Sequence, residues 1–305
     1  MKAAFRPLAN ILARWYEPKR PASKLVAIVV PLSLRTDLTD DERISMRHLL
    51  HHFGQYDKFL IAPKGQPVHF QGFQVKYFSR KYFGSGVAHN RLTYAPQFYK
   101  AFQDYRFIFF YHLDSLAFSD QLPYWCNTDI DYIGAPWLQC EDTPWVDRPR
   151  VGNGGFTLLR VDSALKVLAN RYRQEPWRSV HDLVDQNART LSPMARLAIK
   201  LVSTLGWKTM RDRLKLEWDR IERPWAYSLN NDLFWADQAV TYLPGFKVAS
   251  IEEGLRFAFE AVPRTCFEMN NRQLPFGCHA WTKFDRSFWE PHLLPNDEVA
   301  ITSAR

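Results

Sequence analysis

Short apolar runs alternate with amphipathic stretches along the first third of the chain. The runs are rich in β-branched and aromatic residues, and several close at a proline or a polar turn, which predicts buried strands. These predicted strands cover residues 24–32, 57–63, 73–78 and 105–111. Residues 41–52, capped by Thr39 or Asp40, and residues 88–103, which Pro96 breaks or begins, are predicted to be helices. This alternation predicts an α/β fold with a mostly parallel central sheet covered on both faces.

The pattern is less regular beyond residue 130. Strands are predicted at 131–137 and 255–262, and residues 151–160 are predicted to be a glycine-rich turn that leads into a short strand. Helices are predicted at 162–170 and 231–241, and an aromatic-rich loop at 275–290. We expect one domain over residues 24–290, with a basic helical insertion at about 188–222. A basic amphipathic segment, 1–23, precedes this domain, and a tail, 291–305, follows it.

The composition is that of a folded protein with a large core. The chain has 305 residues, of which 46% are hydrophobic and 15% aromatic, and this excludes a disordered chain. Its four cysteines lack metal-binding spacing and are expected to be reduced thiols, with a disulfide as the alternative. No apolar run approaches the ~20 residues of a membrane span, and the N-terminus has no signal-peptide pattern. We therefore expect a cytoplasmic protein.

The net charge of +8 is concentrated in two segments, residues 1–20 and 189–220. In both, Lys and Arg are interleaved with apolar residues that include tryptophan, such as Trp15 in the first segment and Trp207 in the second. Basic amphipathic helices of this kind suit an anionic membrane surface, here the inner membrane. An ordinary helix with a solvated basic face has the same pattern. Nucleic acid is not an expected partner, because no helix-turn-helix, RNP or zinc-finger signature is present.

The stretch YRFIFFYHLDS joins the most hydrophobic predicted strand to two polar side chains, His112 and Asp114. Ligands of open parallel sheets bind beyond the carboxyl ends of strands. If the strand extends to residue 114, alternation places both side chains on one face. An imidazole nitrogen and a carboxylate oxygen there could hold a divalent cation. Alternatively, Asp114 caps the next turn and His112 is an ordinary, partly buried residue.

Three further segments carry candidate chemistry, and each also has a plain structural interpretation. The glycines of VGNGGF, at 152, 154 and 155, allow close approach of another group, or form a simple turn. Asp232 in NNDLF lies in a first helical turn, where the helix dipole keeps a carboxylate ionised, or it merely belongs to a capped helix. His279 in FGCHAW could bind a metal or stack on a sugar or base, or be structural.

The order of YHLDS, YIGAPW, VGNGGF, NNDLF and FGCHAW resembles that of a bacterial family of GT-A-type, glycosyltransferase-like proteins. The likeness covers roughly residues 24–290. It implies a Rossmann-like GT-A domain that uses a nucleotide-sugar donor. It also implies a divalent cation, Mn²⁺ or Mg²⁺, that grips the donor diphosphate.

The resemblance also implies roles for individual residues. Asp114, His112 and His279 would be metal ligands, with His112 standing where such families usually have an acid. Asp232 would be the catalytic base, although Asn231 replaces the acid that commonly precedes it. The residues implied to line the donor and acceptor site are Asn153, Gly154, Gly155, Phe156 and Trp137. Basic residues after the first strand, such as Arg35, are candidates for phosphate contact.

The expected acceptor is a glycan or lipid-linked glycan of cell-envelope polysaccharide synthesis, an expectation that rests on the basic charge. Two other classes of function remain open. One is a metal-dependent phosphodiesterase or nuclease built on His112, Asp114 and His279, against which the chain offers no second cluster of acids for a two-metal site. The other is a non-catalytic nucleotide-sugar-binding protein or membrane adaptor.

Overall fold

A computed structural model of the chain describes residues 2–18, 20–32, 34, 37–175 and 231–295. The predicted basic insertion, Arg35 and residues 296–305 of the predicted tail lie outside these residues. The predicted limits of the catalytic domain stay a prediction. Among the helices described, none combines the length and apolar character that crossing a membrane would require. All four cysteines are free thiols, as expected.

Six strands form the central sheet, in the order β3-β2-β1-β4-β9-β6. Strands β1 to β4 pair in parallel, whereas β9 is antiparallel to both of its neighbours. The fold-class prediction, an α/β protein with a mostly parallel central sheet, is therefore confirmed. The strands of the chain are β1 Lys24–Pro31, β2 Asp57–Pro63, β3 Phe73–Phe78, β4 Tyr105–Tyr111, β5 Leu116–Ala117, β6 Tyr132–Ile133, β7 Pro136–Trp137, β8 Arg150–Val151, β9 Phe156–Arg160, β10 Ala258–Phe259 and β11 Gly277–Cys278.

Helices cover the sheet. They are α1 Lys2–Tyr16, α2 Asp40–Phe53, α3 Gly86–Thr93, α4 Pro96–Lys100, α5 Leu122–Cys126, α6 Val161–Gln174, α7 Asn231–Leu233, α8 Ala239–Tyr242, α9 Ile251–Phe257, α10 Pro263–Met269 and α11 Arg286–Trp289. A π-helical turn, Phe234–Gln238, joins α7 to α8. The start of α2 is fixed by a capping box between Thr39 and Glu42, which satisfies two backbone donors of its first turn.

The central strands read as continuous apolar runs because both of their faces are buried. Ala27, Ile28, Phe107 and Phe109 have no exposed surface. Phe109 lies edge-on to Phe156 of β9, with ring centroids 4.8 Å apart. Such aromatic pairs add to the hydrophobic stabilisation of the core, and they hold β4 rigidly at the point where its carboxyl end emerges.

Several elements differ from the predictions. The stretch 88–103 forms two helices and not one, and Pro96, which was expected to break or begin a helix there, begins the second. The predicted strand 255–262 is wrong for most of its length: a capping box between Ser250 and Glu253 starts helix α9, and only β10 is extended. The stretch 131–137 is divided between two sheets, as β6 and β7.

Both chain ends of the described part pack against the domain. The small side chains Ala9 and Ala13 of α1 pack with Ala169 of α6, which leaves Ile11 and Trp15 exposed on the opposite side of α1. At the other end, the beginning of the predicted tail is held by α2: the guanidinium of Arg47 donates to the carbonyl oxygens of residues 294 and 295, at 3.1 and 3.2 Å.

Candidate active site

The site is built at the carboxyl end of β4. This strand ends at Tyr111, not at residue 114 as the alternation argument supposed, and the chain turns at once: the backbone N–H of Ser115 donates to the carbonyl of His112 at 3.0 Å. Because β9 is antiparallel to β4, its first residue, Phe156, pairs with Tyr111. The N–H of His112 donates to the carbonyl of Gly155 at 2.7 Å. The glycine segment and the turn are therefore adjacent.

A small second sheet brings the distant part of the chain to the same turn. Its strand order is β10-β11-β5, with β10 parallel and β5 antiparallel to β11. Beyond these paired strands, the N–H of Trp281 donates to the carbonyl of Asp114 at 3.1 Å. His279, which follows β11, consequently lies next to Asp114, and Glu260, which follows β10, lies beside His279.

Three predicted metal ligands meet in this arrangement. His112, Asp114 and His279 each offer one ligand atom, and these atoms all lie within 4.8 Å of one another. His279 Nε2 is 3.3 Å from Asp114 Oδ1. The imidazole rings of His112 and His279 have centroids 5.6 Å apart. Within the part of the chain that the structure describes, this is the one group of three or more His, Cys, Asp or Glu with such geometry.

The electrostatics of the cluster favour a cation. Burial lowers the pKa of His279, but its hydrogen bonds to Asp114 and Glu260 outweigh burial and raise that pKa to about 10. Burial raises the pKa of Asp114, but His279 and His112 outweigh it, so the carboxyl stays below its usual range and is ionised. A protonated imidazole thus lies between the carboxyl groups of Asp114 and Glu260, and a metal ion could replace its proton at Nε2.

His112 differs from His279 in its charge state. Burial, followed by the nearby rings of His89 and His279, lowers the pKa of His112 to about 3. Its imidazole is therefore neutral near pH 7, which is the state a metal ligand needs. Its Nε2 is buried and has no hydrogen-bond partner among the described residues. An orphaned buried nitrogen is costly unless something binds it.

The sequence-based reasoning missed Glu260. Its Oε1 lies 2.7 Å from His279 Nδ1, and its Oε2 accepts a hydrogen bond from Trp137 Nε1 at 2.5 Å. Glu260 comes directly after β10, and the pairing of Phe259 with Cys278 places residues 260 and 279 side by side. The acid after an apolar pair was visible in the sequence, but the pairing of β10 with β11 was not.

The glycine segment owes its composition to close packing. A Cβ at Gly155 would be 2.0 Å from His279 Nε2, and one at Gly154 would be 2.7 Å from the Asn231 side-chain oxygen. Neither glycine has a positive φ; within the segment, the left-handed conformation belongs to Asn153, at φ 77°. The expectation that these glycines allow another group to approach closely is thus met, and the approaching groups are side chains of the protein itself.

Two of the residues expected at the sugar site are buried. Asn153 is 1% exposed, and its side-chain oxygen accepts the N–H of Gly155 at 2.6 Å, so it braces the turn. Phe156 is 0% exposed and packs among Phe109 and Phe276. The resemblance implied that Phe156 lines the donor and acceptor site, but its ring belongs to the core.

Asp232 lies at the start of α7, close to the same cluster. It is 9% exposed, and the N–H of Leu233 donates to its Oδ1 at 2.9 Å. Burial raises the pKa of Asp232 to about 6, with a further rise from Glu260. The helix dipole was expected to favour its ionised form, but burial is the stronger effect. Its neighbour Asn231 lies against Gly154, so α7 joins the glycine segment.

Solved structures resemble this chain at low sequence identity. The apo form of the glycosyltransferase GlyE from Streptococcus pneumoniae is 12% identical, with a TM-score of 0.42 over 89% of this chain and 61% of GlyE. The galactosyltransferase LgtC, solved with donor and acceptor sugar analogues, is 10% identical, with a TM-score of 0.38 over 89% of this chain and 98% of LgtC. The chain thus spans about 61% of the length of GlyE.

Sequence comparison identifies a family. No curated protein matches the chain. Residues 72–279 match the family described as "Protein of unknown function (DUF5672)". This match runs from the third strand to His279 and takes in the cluster of His112, Asp114 and His279 together with the glycine segment, Asp232 and Glu260. Since it covers more than half of the sequence, the chain is a member of the DUF5672 family.

Proposed function

We propose that this protein is a metal-assisted glycosyltransferase that moves a sugar from a nucleotide-sugar donor to a glycan or lipid-linked acceptor. The observation that carries the proposal is the meeting of His112, Asp114 and His279 at the carboxyl end of β4, with ligand atoms within 4.8 Å of one another. Open α/β sheets bind their ligands at this edge. The glycine segment and Asp232 border the same place, so one cleft would hold both donor and acceptor.

The residues fit a divalent cation. Two imidazole nitrogens and one carboxylate oxygen form a mixed donor set that suits Mn²⁺, with Mg²⁺ as the harder alternative. The buried Nε2 of His112, for which the described residues offer no hydrogen-bond partner, gives independent support. When bound, the cation would act as a Lewis acid that offsets the negative charge developing on the departing diphosphate.

Asp232 is the proposed catalytic base. A proton leaves the acceptor hydroxyl for its carboxylate, the freed oxygen bonds to the anomeric carbon of the donor, and the bond from that carbon to the diphosphate breaks, leaving its electron pair on the diphosphate. A pKa of about 6 keeps Asp232 mostly ionised near pH 7 while making it a stronger base than an ordinary carboxylate. Its burial also keeps water from competing for the proton.

Trp137 and the backbone of Gly154 and Gly155 are proposed to line the donor and acceptor pocket. Trp137 is partly buried, and its ring lies over Gly152, where a Cβ would be 2.7 Å from the indole. Asn153 would act on this pocket through the turn that it braces, with no contact to the sugar. Phe156 would support the pocket from the core beneath.

The acceptor is proposed to be presented at an anionic membrane surface, during cell-envelope polysaccharide synthesis on the cytoplasmic side of the inner membrane. Helix α1 supports this proposal, because its small residues face α6 while Arg6 and Arg14 are exposed beside Ile11 and Trp15. A basic face with an exposed tryptophan is typical of helices that lie on anionic lipid.

A thermal-shift assay separates the candidate functions. The melting temperature would be measured with a panel of nucleotide sugars, each with and without Mn²⁺, followed by turnover assays on the stabilising donors. Ligands that bind only the folded state raise the melting temperature. Mn²⁺-dependent stabilisation together with sugar transfer supports the proposal. Stabilisation without transfer to any acceptor indicates a non-catalytic binder. Cleavage of a phosphodiester without stabilisation by any donor indicates a nuclease, and both of these outcomes reject the transferase.

A further inference from the structure

The two ring nitrogens of His279 face two different carboxylates. Nδ1 lies 2.7 Å from Glu260 Oε1, which is a normal hydrogen-bond length. Nε2 lies 3.3 Å from Asp114 Oδ1 and faces the cluster that includes His112. Glu260 is therefore on the side of the ring opposite the proposed cation, and it is not one of the three clustered ligands.

We infer that Glu260 is a positioning residue, which accepts the Nδ1–H of His279 and so directs Nε2 and its lone pair towards His112 and Asp114. The inference rests on the proposed function, because it concerns how the same cation would be held. A histidine that binds a metal through one nitrogen commonly donates its other N–H to a carboxylate, which sets both tautomer and ring orientation.

Three features of the structure restrain Glu260: a strand pairing, a backbone hydrogen bond and burial of its side chain. Its backbone follows β10, whose pairing with β11 sets residues 260 and 279 abreast. The N–H of His279 donates to the carbonyl of Phe259 at 3.0 Å, which fixes the two backbones relative to each other. The side chain of Glu260 is only 13% exposed, so water competes little for its oxygens. A carboxylate restrained in this way can orient an imidazole at little entropic cost.

Trp137 completes the arrangement through its indole N–H. That N–H donates to Glu260 Oε2 at 2.5 Å, on the oxygen not used by His279. The indole ring packs over Gly152, so its position does not depend on Glu260 alone. We therefore infer that Trp137 holds the side chain of Glu260, that Glu260 orients the ring of His279, and that His279 binds the cation.

The test measures Mn²⁺ affinity directly, by titration followed by electron paramagnetic resonance, in the full-length protein. Glu260→Gln keeps the shape of the side chain but removes its charge and allows either tautomer of His279. Trp137→Phe keeps an aromatic ring but removes the N–H. Glu268→Gln is the matched control, because Glu268 pairs with Arg272 on the surface. The melting temperature of each variant in EDTA checks folding apart from metal binding.

We expect Glu260→Gln to weaken Mn²⁺ binding about 10- to 100-fold, the usual effect of losing such an outer partner. Trp137→Phe should shift affinity in the same direction by a smaller factor, and Glu268→Gln should leave it unchanged. In the Mg²⁺-loaded wild-type protein, long-range ¹H–¹⁵N spectra should show His279 protonated at Nδ1 alone, and at the same Mg²⁺ concentration the weaker-binding Glu260→Gln variant should show a larger fraction of His279 rings without the cation.

Two results would overturn the inference in distinguishable ways. Wild-type affinity in both Glu260→Gln and Trp137→Phe would reject the positioning role while leaving the metal site and the proposed function intact. Absence of Mn²⁺ binding by the wild-type protein would reject the inference together with the metal-assisted part of the proposed function. If Glu260→Gln fails to fold in EDTA, the affinity and tautomer of Trp137→Phe decide the question.

Discussion

The imidazole of His279 lies so close to Gly155 that a Cβ at position 155 would be 2.0 Å from His279 Nε2. Real Cβ atoms do not approach another heavy atom to this distance, so any other residue at position 155 must displace the ring. The contact joins the glycine segment before β9 to the residue after β11. It thereby fixes where the proposed ligand nitrogen points.

Gly155→Ala should therefore damage the site more than the fold. The added methyl group displaces the imidazole, and we expect Mn²⁺ affinity to fall by about tenfold or more, as for other changes that misorient a metal-binding histidine. Isothermal titration with Mn²⁺ measures the effect. Gly86→Ala is the control, because a Cβ at Gly86 meets nothing within 4 Å. Equal Mn²⁺ affinity in the two variants would show that the position of the His279 ring does not affect metal binding.

Asp114→Ala should remove both activity and metal-dependent donor binding. The Asp114 side chain is 47% exposed, so its loss should cost little stability while it deletes the one carboxylate of the cluster. Donor binding would be followed by thermal shift with and without Mn²⁺, and folding by circular dichroism. Asp142→Ala, at an exposed position, should behave as wild type. An Asp114→Ala variant that still transfers sugar would refute the assigned role.

Asp232→Asn should abolish turnover but spare donor binding. The amide has nearly the same shape as the carboxylate and cannot accept the proton, so we expect kcat to fall by about 10²- to 10⁴-fold, the usual contribution of a general base. The dissociation constant of the donor should stay near the wild-type value. Loss of donor binding in this variant would instead make Asp232 a ligand of the donor or its cation.

The pH profile gives a second test of Asp232. Burial raises its pKa to about 6, and a base works only when ionised. The value of kcat/KM should therefore rise with pH through about 6 in a single-proton step and then level off. A rise centred near pH 4 would indicate an unperturbed carboxylate and contradict the assignment.

His48 should make stability depend on pH. The N–H of Leu294 donates to its Nε2 at 3.0 Å, so Nδ1 carries the proton and donates to the carbonyl of Ala117 at 2.7 Å. This neutral tautomer is buried, and burial lowers the pKa of His48 from 6.5 to about 4. Protonation would set an N–H against the N–H of Leu294.

The direction in which stability changes with pH follows from the difference between the pKa of His48 in the folded and unfolded states. Above pH 6.5 both the folded and the unfolded states hold His48 neutral; below it the unfolded state takes up the proton first, so stability falls as pH falls towards 4. By pH 5 the loss due to His48 should be about 2 kcal/mol, from ~1.4 kcal/mol per pKa unit. Urea unfolding at pH 7.5 and 5 measures it. Between pH 7.5 and 5, the free energy of unfolding of His48→Gln should fall by about 2 kcal/mol less than that of the wild-type protein. His51→Gln, at an exposed position, should show the same fall as the wild-type protein.

The fold could be predicted from the sequence where elements are long and apolar. The runs at β1, β2 and β4 gave the parallel sheet directly, because strands buried on both faces contain few polar residues. The strand predicted at 255–262 was mostly wrong for a related reason. Its apolar residues belong first to helix α9 and then to strand β10, and the prediction did not use the capping box at Ser250 that starts this helix.

The candidate site was predictable only in part. His112 and Asp114 follow an obvious strand, and His279 and Asp232 stand beside recognisable turns. Glu260 could not be placed, because two-residue strands such as β10 leave no periodic signal. The burial of Phe156 depends on the antiparallel pairing of β9 with β4, which a mainly parallel pattern does not reveal.

The central claim is that His112, Asp114 and His279 together hold a cation that binds the donor diphosphate. Its most direct test is a crystal structure of the protein soaked with Mn²⁺ and a nucleotide sugar, with diffraction recorded at the manganese absorption edge. The account predicts one anomalous peak within coordination distance of these three side chains and of diphosphate oxygens. A diphosphate bound elsewhere, or a peak away from all three residues, would contradict it.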